Sequence, residues 1–309
     1  MRAVAVTEPG GLEVLRVVDR PVRDAGPGEV RVAVKAAAVN PTDIGLRQRG
    51  VEGLDAPWVP GMDAAGTVES RGEGVERLGV GDAVMAAVSP RRAEGGAQAE
   101  LIVVPSASVV PVPDGASFQQ AATLPMNGLT AMLGLELLGL AAGQTLAVSG
   151  GAGLLASYVI ALAKLRDVRV IADAKPDDEA LVRSFGADVV LPRGEGFPAA
   201  VREVAPEGVD GLFDTALLGR GAFPAIREGG AMAVVRGWDG SDPERVIQIH
   251  PVWVRTVLER TDWLLELREL ASQGRIALRV AAEYRPEQAA EAQRAMEAGG
   301  LRGRAVIVF

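Results

Sequence analysis

The segment Leu146-Ala147-Val148-Ser149-Gly150-Gly151-Ala152-Gly153-Leu154-Leu155-Ala156 carries the most chemically specific spacing in the chain. It contains G-x-G-x-x-A as Gly151, Gly153 and Ala156, with a β-type apolar run leading in and a helical pattern leading out. In such a turn Gly151 permits the tight bend and Gly153 lets backbone N–H groups approach a pyrophosphate at the helix N-terminus. Ala156 keeps helix and strand close. Ala152, Leu154 and Leu155 complete the candidate cofactor-binding loop. The next strand ends at Asp173, 22 residues after Gly151. That is near the offset of a carboxylate that accepts ribose hydroxyls. With 38 glycines in the chain a bare triplet could arise by chance. Motif, flanking elements and acid together favour a dinucleotide over an ordinary strand-to-helix turn.

Other chemistry is scarce. There is no cysteine and one histidine, His250. Disulfides, thiolate nucleophiles and iron–sulfur clusters are excluded, and a tetrahedral zinc site lacks its usual nitrogen and sulfur donors. His250 reads as a strand-end residue before Pro251. Tyrosine occurs only at 158 and 284, and lysine only at 35, 164 and 175. A chain so short of proton donors must borrow its chemistry from a cofactor. The net charge of −8 argues against a nucleic-acid partner. No apolar run approaches membrane-spanning length, and the N-terminus lacks a secretory pattern, so a cytoplasmic protein without a membrane partner is expected.

The elements that must position these groups fall into three stretches. Residues 1–117 show short β-type runs separated by Gly- and Pro-rich turns, the pattern of a small barrel or sandwich. Residues 118–250 alternate strand and helix in units that suit a parallel sheet. Residues 251–309 return to the first domain, with a long helix over 254–272, a strand over 275–280, a helix over 287–297 and a last strand from 305. The fold class expected is α/β, a Rossmann doubly wound parallel sheet inserted in a GroES-like β-barrel catalytic domain.

The GroES-like assignment comes from a resemblance. Val39-Asn40-Pro41-Thr42-Asp43, Pro60-Gly61-Met62-Asp63-Ala64-Ala65-Gly66, Val80-Gly81-Asp82, Gly95-Gly96-Ala97-Gln98-Ala99-Glu100 and Leu124-Pro125-Met126-Asn127-Gly128 precede the glycine loop. Phe185-Gly186-Ala187-Asp188 and Tyr284-Arg285-Pro286-Glu287 follow it. In these stretches the sequence resembles the medium-chain dehydrogenase/reductase superfamily, in its zinc-free quinone oxidoreductase-like branch.

The resemblance implies a cofactor in the cleft between the domains, and hydride transfer from NAD(P)H to a quinone or an α,β-unsaturated carbonyl compound. Two other readings stay open: an enoyl or carbonyl reductase of a biosynthetic pathway, and a non-catalytic NAD(P)H-binding redox sensor. Where zinc-dependent relatives carry a Cys and a His-Glu pair, this chain has Asn40 and Met62-Asp63, which implies that no metal is bound. Where several quinone reductases carry a tyrosine, this chain has Gly45, so the proton is expected from water or a cofactor hydroxyl.

Among the site candidates, Asn40 contacts the nicotinamide ribose or substrate oxygen by resemblance, while its place before Pro41 equally suits a helix cap. Thr130 is expected at the nicotinamide end. Trp58, Met62 and Trp238 form either an apolar substrate slot or plain core. For cofactor choice, Asp173 favours NADH, whereas Lys175 and Arg193 could hold the extra phosphate of NADPH. The balance leans slightly to NADPH. The run 246–249 has the position of an edge strand through which such Rossmann domains pair, so a homodimer is expected.

Overall fold

A computed structural model describes residues 1–238, 240 and 244–309. Its contacts divide the chain into two compact units: Met1–Met126 with Arg255–Gly274 and Leu278–Phe309, and Asn127–Val254 with Arg275–Ala277. Among the described residues no helix is long and apolar enough to cross a membrane.

The first unit opens with a hairpin-like pair, β1 (Arg2–Val6) and β2 (Leu15–Asp19). Five more strands follow: β3 (Glu29–Val39), β4 (Asp63–Arg71), β5 (Ala83–Ala87), β6 (Leu101–Pro105) and β7 (Val109–Pro111). Helix α1 (Pro41–Arg49) leaves the end of β3. In β3 the buried residues alternate at Val30, Val32 and Val34, then run continuously over Ala36–Val39. The strand thus has one wet face at its start and none at its end. Val30, Val32 and Val34 pack with Val68, Leu78, Val84, Ile102 and Val104 in a fully apolar core. Helices α2 (Phe118–Ala121) and α3 (Pro125–Leu138) follow, and Ser117 caps α2 through a reciprocal bond pattern with Gln120. The sequence boundary at 117/118 and the contact division at 126/127 differ by this α2 segment, which packs on β3 and β4.

The second unit is built from β8 (Thr145–Ser149), α4 (Leu154–Lys164), β9 (Arg169–Ala174), α5 (Glu179–Ser184), β10 (Val189–Pro192) and α6 (Phe197–Val204). Strands β11 (Val209–Asp214), β12 (Ile226–Val234) and β13 (Gln248–Pro251) complete it. The strands run parallel in the order β10-β9-β8-β11-β12-β13. This is the doubly wound order, whose direction of winding reverses between β8 and β11. Ala147, Ile171 and Leu212 are fully buried in the sheet, as strands covered on both faces require.

The chain ends with α7 (Thr261–Ser272), β14 (Val280–Tyr284), α8 (Ala289–Ala298) and β15 (Arg304–Val308). β15 pairs antiparallel with β3 and parallel with β14, which closes the sequence back onto the first sheet. Two local expectations fail here. The helix expected over 254–272 starts at Thr261, because Arg260 sits at φ −77°, ψ 77°, outside helical geometry. The strand expected over 275–280 does not form; Ile276 alone among Arg275–Leu278 is buried, and pairing starts only where Val280 meets Arg304.

Candidate functional site

The reversal point of the second sheet holds the glycine loop. β8 ends at Ser149 and the chain turns at Gly150, whose φ of +72° is the left-handed value that favours glycine. The tight bend therefore belongs to Gly150 and not to Gly151. A Cβ on Gly151 would stand 2.5 Å from the Asp173 carbonyl oxygen and 3.2 Å from both Ala172 Cβ and Val182 Cγ1. Gly151 is there so that the loop can lie against β9. A Cβ on Gly153 would meet only the Gly150 carbonyl oxygen, at 3.1 Å, and otherwise open space.

Gly153 is the N-cap of α4, and no side chain caps that helix. The first N–H groups of an α-helix have no partner within it, and the helix dipole adds positive potential there. A helix start without a capping side chain, beside a glycine with space next to it, is the kind of cradle a pyrophosphate needs. Leu154 contributes only its backbone, because its side chain is buried in the core; Ala152 is also buried and Leu155 is half-buried.

Two carboxylates hold this cradle. Asp173 is buried and its Oδ1 accepts the Gly151 N–H at 2.8 Å. Burial raises its pKa, against the opposing effects of that bond and of the Arg193 charge. Arg193 and Lys175 are both exposed, just beyond the C-terminal ends of β10 and β9. Asp214, at the end of β11, accepts the Ser149 hydroxyl at 2.7 Å and the N–H groups of Leu218 and Gly219 at 3.0 and 2.9 Å. The Ser149 Oγ in turn accepts the Ala216 N–H at 3.0 Å. The loops after β8 and β11 are thus tied together on either side of the reversal point. The Ser149–Asp214 tie escapes sequence reading, since its partners lie 65 residues apart. The residues present fit a dinucleotide: a helix start without a capping side chain, space beside Gly153, and two exposed cations just beyond β9 and β10.

In the first unit, β3 delivers Asn40 to a buried polar cluster. Asn40 stands at the N-cap position of α1, with Pro41 at the first helical position, but its side chain makes no cap hydrogen bond. Its N–H bonds Asp43 Oδ2 at 2.8 Å, and Asp43 also accepts from the Gly61 N–H and the Gln98 amide. Burial pushes Asp43 up to about 6 despite those donors. The Asn40 side chain donates to Asp63 Oδ2 at 2.7 Å and accepts from Arg304 Nε at 2.8 Å. Asp63 Oδ1 accepts the Met126 N–H at 2.6 Å. Asn40 and Asp63 are fully buried. Among the described residues, no group of three His, Cys, Asp or Glu could hold a metal ion.

The remaining candidates divide by unit. Trp58 pairs its backbone with Val6, packs on the Val4, Val6 and Leu46 cluster, and donates its indole N–H to the Leu54 carbonyl. It also lines a cavity of about 170 Å³ with Arg20, Leu54, Arg92 and Pro90. Met62 is buried, and its carbonyl accepts the Val88 N–H. Trp238 packs in the second core, its ring 5.8 Å from that of Phe223. Both tryptophans thus have a packing role. Thr130 is buried on α3. Tyr158 is fully buried on α4, and Tyr284 packs on the first unit's core.

Residues 26–114 match the alcohol dehydrogenase GroES-like domain, and residues 185–307 match a model described as zinc-binding dehydrogenase. The chain is 35% identical over 246 residues to the chloroplastic NADPH-dependent alkenal/one oxidoreductase of Arabidopsis thaliana, covering 77% of this chain and 63% of that one. It is 32% identical over 205 residues to the trans-enoyl reductase tazE of Aspergillus terreus, covering 61% and 67%. The native structure of mycobacterial Rv1454c complexed with NADPH superposes over 100% of both chains with a TM-score of 0.88 and 29% identity. The chain belongs to the medium-chain dehydrogenase/reductase superfamily, with GroES-like and Rossmann domains. Its match spans less than two thirds of the Arabidopsis protein and 62% of the tomato 2-methylene-furan-3-one reductase, to which it is 33% identical.

Proposed function

We propose that the protein is an NADPH-dependent, zinc-independent reductase that transfers a hydride to a quinone or an α,β-unsaturated carbonyl compound. The observation that carries the reading is the glycine at the N-terminus of α4, which has no capping side chain and where an added Cβ would fill otherwise open space. Relatives that act on alkenals and enones and the NADPH complex of a structural neighbour support it. Bound NADPH would supply the hydride.

The chain's own residues bind and orient. The N–H groups after Gly153 hold the pyrophosphate, and Arg193 and Lys175 hold the 2′-phosphate, as bidentate and point-charge donors respectively. Asp173 keeps its carboxylate on the Gly151 N–H, so it braces the loop and leaves phosphate selection to the cations. Thr130 fixes the nicotinamide end. Asn40 contacts the nicotinamide ribose or the acceptor oxygen. With Tyr158 buried on α4, Tyr284 packed on the first unit's core and no cysteine, the proton is assigned to water or a cofactor hydroxyl, and catalysis rests on orientation. The place of zinc ligands is taken by Asn40 and Met62-Asp63, and the Asn40 and Asp63 side chains are committed to each other and to Arg304 and Met126. Edge strand β13 offers a pairing edge for a homodimer. The cysteine-free composition suits a reducing, cytoplasmic setting.

The trans-enoyl reductase relative favours extending the acceptor panel to enoyl thioesters. Oxidation of NADPH and NADH with quinones, alkenals, enones and enoyl thioesters tests the reading. Turnover with NADPH and at least one acceptor class is expected. Tight NADPH binding without turnover on any of them would instead support a redox sensor, and absence of binding would remove the site.

A further inference from the structure

Every polar contact of Asp63 and Asn40 described above has a direction, and the directions allow one arrangement. β15 runs antiparallel to β3 with Ala305 opposite Val39, so the next step of the register brings Arg304 beside Asn40. The Arg304 Nε donates to Asn40 Oδ1 at 2.8 Å. A guanidinium has no acceptor, so Asn40 must present its oxygen to Arg304 and its NH₂ to Asp63. Asp63 then receives two donors, one on each oxygen: the Asn40 amide at 2.7 Å and the Met126 N–H at 2.6 Å. Asn40 and Asp63 are both 0% exposed, so bulk water cannot substitute for a lost partner.

We propose that Asp63 and Arg304 are positioning residues that fix the donor and acceptor faces of Asn40, through a hydrogen-bond chain that exists only while Asp63 is ionised. A proton on either oxygen of Asp63 would weaken it as an acceptor and add a buried O–H for which neither of its two N–H partners offers an acceptor. Turning the Asn40 amide to receive that proton would set its NH₂ against the Arg304 Nε–H. Either way one buried bond is lost.

The charged groups around Asp63 are Arg304 from β15, which favours the carboxylate, and Asp43 from α1, which opposes it. Burial outweighs both hydrogen bonds and Arg304, and pushes Asp63 up to about 7. The chain therefore forms as pH rises through neutrality and breaks below it. The catalytic consequence rests on the proposed function, in which Asn40 touches cofactor or acceptor; the hydrogen-bond chain itself does not.

The first test needs no turnover. The side-chain amide resonances of Asn40, assigned with Asn40→Asp, are followed from pH 9 to 5.5 in the full chain without cofactor. A single inflection shared with the Asp63 carboxyl carbon is expected, and Asp63→Asn should abolish it. An Asn40 signal indifferent to pH and to Asp63→Asn overturns the proposal. The second test uses NADPH turnover. The acid limb of kcat should disappear in Asp63→Asn. Arg304→Met should lower kcat at least tenfold with NADPH affinity within about threefold, and Arg304→Lys, which keeps a donor, should recover most of it. A purely structural role would lower Tm in both Arg304 variants and leave the limb in place. Wild-type kcat in Arg304→Met overturns the positioning role. If the Asn40 resonances follow Asp63 but no acceptor is reduced, the chain stands and the functional reading falls.

Discussion

Gly153→Val separates binding from folding at one position. Gly153 has φ −67° and ψ 160°, an extended conformation that valine adopts readily, so no backbone strain arises. The new Cβ would touch only the Gly150 carbonyl oxygen, at 3.1 Å, which a shift of a few tenths of an ångström relieves. Loss of glycine at the N-cap costs α4 about 1 kcal/mol, a few degrees in Tm. The side chain would fill the space a pyrophosphate must enter. Losing two charge-assisted hydrogen bonds at about 1.5–3 kcal/mol each predicts a Kd for NADPH raised more than about 100-fold.

Gly151→Ala should do the reverse. Its Cβ would lie 2.5 Å from the backbone oxygen of Asp173, inside the sheet packing. Overpacking of that kind costs about 1–3 kcal/mol, and Tm should fall by several degrees. Fluorescence titration with NADPH, circular dichroism and calorimetry on both variants make the comparison. Wild-type affinity in Gly153→Val, or an unchanged Tm in Gly151→Ala, would refute the division of labour within the loop.

Prolonged chelation followed by desalting should leave turnover and Tm unchanged; activity lost to the chelator and restored by zinc would reverse the metal-free reading. Arg193→Ala should weaken NADPH by about 1.5 kcal/mol, the low end for a charge-assisted contact because the residue is exposed, and leave NADH within about threefold; equal losses for both cofactors would return the selection to Asp173. Asp43, raised by burial from 3.8 to about 6, takes up a proton on folding. Its contribution is therefore fully present below pH 3.8 and is lost as pH rises through 6. Asp43→Asn should flatten the fall of Tm across that window, while lowering Tm overall by disrupting the three donors it receives; a slope identical to wild type would show that another group titrates there.

The parallel sheet was legible because its strands announce themselves. Val170-Ile171-Ala172 and Leu212-Phe213 are continuous apolar runs, and they are buried as such runs must be when helices cover both faces of a sheet. The same logic misplaces Arg275–Val280. Its alternation suggests a half-buried strand, yet a strand needs a partner in register, and β15 reaches back only to Val280. Short 3₁₀ turns at Leu12–Val14, Pro176–Asp178 and Pro286–Gln288 are invisible to such patterns, since three residues carry no period of their own.

The site was legible where function is local and illegible where it is relayed. Glycine spacing located the strand-to-helix loop at the sheet's reversal point, but a template cannot say which of two adjacent glycines takes the positive φ; Gly150 does, because Gly151 is pressed against β9. Asn40 could be read both as a cap and as a contact residue, and the spacing along the chain shows neither of its actual side-chain partners. The backbone N–H bonds Asp43, while the side chain belongs to Arg304 and Asp63. Arg304 lies 264 residues from Asn40, in an unremarkable Gly-Arg-Ala-Val segment. Only the antiparallel register of β15 on β3 brings them together. Spacing along the chain therefore singles out candidate groups that share one loop. The groups that orient them emerge only once the sheet has set its register.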